Sequence, residues 1–421
     1  MTLFLGLTLL PGCQRSNPVF TREPEIVENL TKPVEIAFWH SMVDVQKETL
    51  IQMTEQFMSA NPNIVVNLKN HLTSLDLRLK LSETTIEKDL PTLVQANSDW
   101  LLFRFRDNQV VDLQPYLQHK TLGFRQYDDI SQYFRDAVVF DEKILGMPFS
   151  KSTEVIWYNQ DIFDELKLEV PTTYAELAKT AKIIHEVKGI SGCDWENPVN
   201  FYITYLKNKG IEFDSQLDFT RDESEEALDY YLKGIKGGYF THAQKDLKLF
   251  ESGNAAMVIS TTDAEPFLKS NIADQFKLAV APYPAEYSLQ QGADIYLFSS
   301  ATPNQRTAAF EYLKFLAEKD IQLEWAINTG YLPIYELVID DEAYQKSTTV
   351  IAPIAKHEQH LFTYPKELGA GQTYLLANKM MKNLNPDFKD HEMEPLLSEY
   401  TNLIQGYYIG SSQAIERYEV D

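Results

Sequence analysis

The sequence predicts an α/β protein of two lobes with a hinged cleft between them. Three observations carry that expectation. The chain has 421 residues, 44% of them hydrophobic, enough for two ordinary cores at roughly 100–200 residues per domain. From residue 34 onward, strand-like and helix-like stretches alternate, which is the pattern of parallel strand–helix–strand units. The chain also reads as crossing between its halves near 148–152 and again near 260–264, and repeated crossing leaves a cleft. In such sheets ligands bind at the carboxyl ends of strands.

The elements follow in order. VEIAFW (34–39) alternates as a strand and ends on Trp39-His40-Ser41. VQKETLIQMTEQFMSANP then reads as a helix, with Leu50, Ile51, Phe57 and Met58 at mixed three- and four-residue spacings, stopped by Pro62. IVVNLKN (64–70) and TLVQAN (92–97) are strands, and VVDLQPYL (110–117) turns from extended chain into a helix at Pro115. A Gly-Met-Pro-Phe turn leads into a strand through Val155-Ile156-Trp157-Tyr158, where the second lobe begins. Thr173 stands three residues before Glu176, a capping-box spacing that starts a helix. Residues 188–225 read as loop-rich and hold Trp195. Helix, turn, helix and the strand AAMVIS follow, then strands in FKLAVAPYP and GADIYLFSS (292–300). Helices over 307–318 and 321–334, the second ended by Gly330, lead into a mostly helical remainder. The expected division is 34–148 with 262–310 as the first lobe and 149–261 with 311–421 as the second.

Composition excludes several functions. Against 38 Lys and Arg stand 61 Asp and Glu, a formal net charge of -23, and no basic run occurs. That disfavours a nucleic-acid partner. MTLFLGLTLLPGC (1–13) is too short to span a bilayer, which needs about 20 residues. It looks like the second half of a signal peptide with a lipoprotein cleavage site, without the basic n-region. Cys13 is then the acylated residue, a lipid anchor in the membrane, and 14–33 a tether. Cys193 is the other cysteine, so no intramolecular disulfide is expected. GxSxG, P-loop, GxGxxG and HExxH motifs do not occur. His357 and His360 share a spacing but lack a third ligand, and read as part of a solvated helix. No metal, no cofactor and no enzymatic activity are expected. Aromatic residues make up 12% of the chain; Trp39, Trp157-Tyr158, Trp195, Tyr296 and Tyr331 lie beside polar groups, the mixture that packs on sugar C–H faces or cationic heads.

The stretches FWHSM (38–42), LGMPFSKSTEVIWYNQDIF (145–163), VPTTYAELAKTAK (170–182), FESGNAAMVIS (250–260), AAFEYLKFLAE (308–318) and NTGYLPI (328–334) run in one order over almost all of 34–420. Here the chain resembles the bacterial extracellular solute-binding proteins that deliver sugars and related solutes to ABC importers, and within them the glycerol-3-phosphate-binding branch. The resemblance implies a two-lobed periplasmic binding protein fold closing on a small-molecule solute, permease subunits as partners, an extracytoplasmic location and a monomer. It implies ligand contacts at Trp39, His40 and Ser41, at His71, in the segment of Asn97, Ser98 and Asp99, and at Ser152 and Thr153. It also implies them at Trp195, Thr262, Asp263, Gly292, Asp294, Tyr331 and Tyr374.

The departures from the family pattern shift the expected solute. Glycerol phosphate binders grip the phosphate with an arginine shortly after a stretch like ELGAGQ (367–372). Here Thr373, Tyr374 and Leu375 follow, and no arginine occurs between Arg306 and Arg417. Lys151 offers only a point charge. Asp263 and Asp294 place carboxylates where relatives have smaller groups. A sugar, a polyol or a cation-headed solute is therefore expected, with glycerol phosphate diesters left open. The alternatives are the same fold serving as a sensor for a signalling partner, or a lipoprotein enzyme.

Overall fold

The computed structural model describes residues 25–409, apart from 215–216, 243–246, 357–359, 367–368, 385–386 and 388–389. The leader, Cys13, most of the tether and His357 lie outside the described residues. Among the described residues the strands are β1 Val34–His40, β2 Ile64–Asn70, β3 Leu93–Ala96, β4 Val139–Phe140, β5 Lys143–Ile144, β6 Gly146–Asn159, β7 Cys193–Trp195, β8 Phe240–His242, β9 Met257–Thr261, β10 Leu278–Pro282, β11 Tyr287–Leu297 and β12 His360–Phe362.

The main sheet runs β2-β1-β3-β11-β6-β9-β7-β8, with β10 on β6 and β12 on β11, while β4 and β5 form a separate hairpin. Two long strands make it continuous. The first part of β6, Gly146 to Thr153, pairs antiparallel with β11. Its second part, from Glu154 to Tyr158, pairs with β9. β6 thus changes partner between Thr153 and Glu154, and this is where the chain passes from one lobe to the other. β1 joins β2 and β3 in parallel, and β7 joins β8 and β9 in parallel.

The central strands β3 and β6 are covered on both faces and buried throughout, whereas the edge strand β2 alternates buried and exposed residues. Ile36 and Phe38 of β1 face one cluster with Phe57, Leu313, Trp325 and Tyr335. Trp39 between them and the cleft faces the opposite cluster with Leu77, Val94 and Phe298, as period-two alternation requires. In β6, Ile156 and Tyr158 pack with Trp195, Phe201 and Met380, while Val155 and Trp157 pack with Val258, Leu268 and Ile351.

These clusters distribute the chain differently from the expected boundaries. Ala264, Leu268 and Ile272, assigned to the first lobe, pack with Val155 and Trp157. Leu313, Trp325, Ile334 and Tyr335, assigned to the second, pack with Phe38 and Phe57. An amphipathic helix announces its apolar face, not the sheet that it covers.

Two local readings also change. Residues 188–225 contain β7 and the helix Pro198–Asn208, in which Pro198 through Leu206 are all buried. A helix apolar on every side shows no 3.6-residue alternation, which is why it passed as loop. His360 begins β12, paired with Tyr287 of β11, rather than lying in a helix. The cap at Thr173 does form: its hydroxyl accepts from the Glu176 N–H at 3.2 Å. Glu176 reaches back to the Thr172 N–H at 2.9 Å.

Candidate ligand-binding cleft

A cavity of about 340 Å³ opens where the carboxyl ends of the first-lobe strands meet the partner change in β6. Ser41, Met42, Val43 and Gln46 come from the end of β1 and the helix after it, Ser74 from the start of the helix beyond β2, and Gln95, Asn97 and Trp100 from β3 and its turn. Ser152 and Gln291 to Ala293 supply the floor between the lobes, and Thr261, Asp263 and Phe267 the far wall, with Tyr331 beside them.

Six of the expected residues meet here: Ser41, Asn97, Ser152, Asp263, Gly292 and Tyr331. The Ser41 N–H donates to Gln95 Oε1 at 3.1 Å, and its hydroxyl lies 3.3 Å from that of Ser74. Tyr331 stacks on Trp325 with centroids 5.6 Å apart and 5° between planes. Burial, and then the carboxylate of Asp263, raise its hydroxyl well above the usual phenol range, so it stays a donor. Gly292 has φ 91°, and a Cβ there would stand 1.8 Å from the Ser150 carbonyl oxygen. Only glycine lets β11 approach β6 this closely.

The other expected residues are turned elsewhere. Trp39 is 6% exposed and packs in the first-lobe core, with the His71 ring 5.2 Å away and the Lys69 ammonium 5.0 Å from its centroid. His40 is buried, and its Nδ1 accepts from the Met42 N–H at 3.2 Å; burial, Lys47 and His71 hold its pKa down at about 4. Thr153 points to the opposite face from Ser152 and lies 2.6 Å from the Ser288 hydroxyl. Trp195 is fully buried against Phe201 and Phe240. Thr262 is fully buried beside the cavity turn. Ser98 and Asp99 sit in the turn Ser98–Trp100, from which Asn97 and Trp100, not they, reach the cavity wall.

Asp294 is buried in an ion pair with the fully buried Lys151. The two charges expected to meet a ligand instead meet each other, across the two strands that join the lobes. Tyr374 donates to Asn200 Oδ1 at 3.2 Å, as does Tyr364 at 2.8 Å. Asn200 in turn donates to Glu154 at 2.9 Å. Burial raises the Glu154 carboxyl to about 8, with the Asn200 hydrogen bond acting against the shift.

Gln46, Ser74, Gln95, Trp100, Phe267 and Gln291 line the cavity and were not singled out from the sequence. Gln95 carried a signal, as a polar residue inside the apolar strand LVQA. Gln291 lies directly across from Ser152, a pairing that only the register reveals.

Two α/β lobes joined by crossing strands, with a polar and aromatic cavity at the junction, define a hinged solute-binding protein. The model of the family described as bacterial extracellular solute-binding protein matches residues 52–352, and the chain belongs to that family. It is a solute-binding protein of an ABC importer, acts outside the cytoplasm, and delivers small solutes to permease subunits. Among curated relatives, it is 24% identical over 347 residues to the sn-glycerol-3-phosphate-binding periplasmic protein UgpB of Salmonella typhimurium, covering 74% of this chain and 78% of that one. UgpB of Shigella flexneri is 25% identical over 350 residues, with 74% and 78% covered. Among solved structures, UgpB of Mycobacterium tuberculosis in complex with glycerophosphocholine superposes with TM-score 0.76 at 17% identity, covering 91% of this chain and 99% of that one. Maltose-bound MalE3 of T. maritima gives TM-score 0.75 at 17% identity, with 88% and 99% covered.

Proposed function

We propose that the cleft captures an uncharged polyhydroxylated solute, a sugar or polyol, and binds it without turnover. One observation carries this reading. The cavity wall combines the Trp100 and Tyr331 rings with hydroxyls, amides and the Asp263 carboxylate, and among its described residues includes no lysine or arginine. Rings pack on C–H faces, while amides donate to and accept from hydroxyls and a carboxylate accepts from them. A phosphate monoester calls for a bidentate guanidinium, and the Lys151 ammonium is already paired with Asp294. The proposed contacts are Ser41, Gln95, Trp100, Ser152, Asp263, Gln291, Gly292 and Tyr331. Mass spectrometry of solute released from protein purified without refolding tests the reading: a neutral sugar or polyol is expected, and a phosphate monoester refutes it. A glycerol phosphodiester is the second reading, favoured by the glycerophosphocholine in the complex of the structurally similar UgpB of Mycobacterium tuberculosis.

The lobes, joined through β6 and β11, close on solute held by both. Small-angle scattering should show a smaller radius of gyration with the released solute added back; an unchanged radius points to the sensor alternative with a rigid cleft. The protein acts as a monomer tethered through lipid on Cys13. Palmitate labelling followed by detergent partition tests the anchor. Cys13→Ser should lose the label and leave the detergent phase, and retention of both speaks against it.

A further inference from the structure

We infer that Arg78 and Asp99 of the first lobe clamp the N-terminal turn of the helix Ala370–Asn383, tying the lobes together at one end of the cleft and denying that helix end to an anionic solute group. The helix belongs to both lobes. Leu376, Ala377 and Met380 pack in the second-lobe core, while Ala370, 3% exposed, packs with Trp39 and Leu77 of the first lobe. A Cβ at Gly371 would stand 2.9 Å from Asp99 Oδ2 and 3.0 Å from Arg78 Nη2. A carboxylate and a guanidinium therefore close on the backbone at one point, where a methyl group would press on both side-chain ends, and the position holds glycine although alanine is the better helix former.

The placement has an electrostatic reason. The residue before the helix, Gly369, gives it no side-chain cap, and its first N–H groups carry the positive end of the helix dipole. Asp99 brings a negative charge to that end from the turn Ser98–Trp100. Arg78, midway along the helix Ser74–Glu83, offsets it. Burial raises the Asp99 carboxyl to about 6 and the Arg78 charge opposes the rise, so at neutral pH the carboxylate is ionised. A solute phosphate or carboxylate at this helix end would have to displace Asp99. The clamp stands on geometry alone; its consequence for solute choice rests on the cleft reading proposed above.

Hydrogen exchange on the full chain without added solute tests the clamp. In Arg78→Gln and in Gly371→Ala, amides 371–376 should exchange faster by on the order of tenfold, with β1 and β9 at wild-type rates. Unchanged exchange at 371–376 overturns the clamp, and if Gly371→Ala does not fold, Arg78→Gln alone decides. The anion arm titrates inorganic phosphate against tryptophan fluorescence, Trp100 being next to Asp99. Asp99→Asn should bind phosphate more tightly than wild type by on the order of tenfold, and equal affinities overturn the exclusion. Neither arm uses a sugar, so failure of the sugar reading would appear separately, as wild-type protein that releases none.

Discussion

Asp263 and Asp294 lie on either side of the same cavity region and have opposite surroundings. Asp294, on β11, is buried against Lys151 of β6. Asp263, in the turn after β9, is partly exposed, lines the cavity and stands beside the Tyr331 hydroxyl. Both read from sequence as acids placed to meet a ligand. The difference teaches that an acid near a cleft is available to a solute only where the fold supplies no internal counter-charge. The Lys151–Asp294 pair ties together the two strands on which the lobes turn, so its charge is committed to the hinge.

The comparison breaks most visibly at the hinge. Lys151→Met leaves a buried carboxylate without its partner and should cost about 3–5 kcal/mol of stability, read as a lowered urea midpoint. Lys151→Met with Asp294→Leu should recover most of that loss. Asp263→Ala should leave the midpoint within about 0.5 kcal/mol of wild type. Equal midpoints for Lys151→Met and Asp263→Ala would erase the distinction between the two acids.

Next in size is Glu154, a buried acid on β6 with no counter-charge among its described partners. Its pKa rises from 4.5 to about 8 on folding. The folded chain therefore holds an extra proton between those values, and its stability falls as pH rises through that window. Glu154→Gln keeps the acceptor for Asn200 and removes the fall. At pH 8 it should be more stable than wild type by on the order of 2–4 kcal/mol, with no difference left below pH 4.5. His40 acts with the opposite sign between about 4 and 6.5, but it is common to both proteins and cancels in the comparison. Parallel stability–pH curves would mean that Glu154 is ionised in the folded protein.

The cavity side is sharpened by affinity. Tyr331→Ala should weaken binding of the released solute by about 1–3 kcal/mol, tenfold to a hundredfold, in calorimetric titration. An unchanged dissociation constant would place the solute elsewhere. Asp263→Ala should cost about 1–1.5 kcal/mol for a hydroxyl-bearing solute, roughly tenfold. Tighter binding by this variant would instead identify an anionic solute relieved of like-charge repulsion.

Much of this was legible in the chain. The strands at 34–40 and 64–70 declared themselves by pattern, because a strand with one face on the core alternates buried and exposed residues along much of its length. The helix after Thr173 was legible from its cap, and the family resemblance pointed to Ser41, Ser152, Asp263, Gly292 and Tyr331, which line one cavity. The sequence did not reveal which way Trp39, His40 and Trp195 turn. A tryptophan at a strand end has the same neighbours in sequence whether it faces solute or core, and strand parity relative to the covering helices decides between them.

By itself the sequence determined the α/β alternation, the acidic composition and the family, because these rest on local periodicity, composition and ordered motifs. The tertiary structure alone decided which helices cover which sheet, that Lys151 neutralises Asp294, that Gln291 stands across from Ser152, and that Asp99 faces Arg78 and a helix end. Each of those depends on distances between residues far apart in the chain, set by register and packing, and no local pattern encodes them.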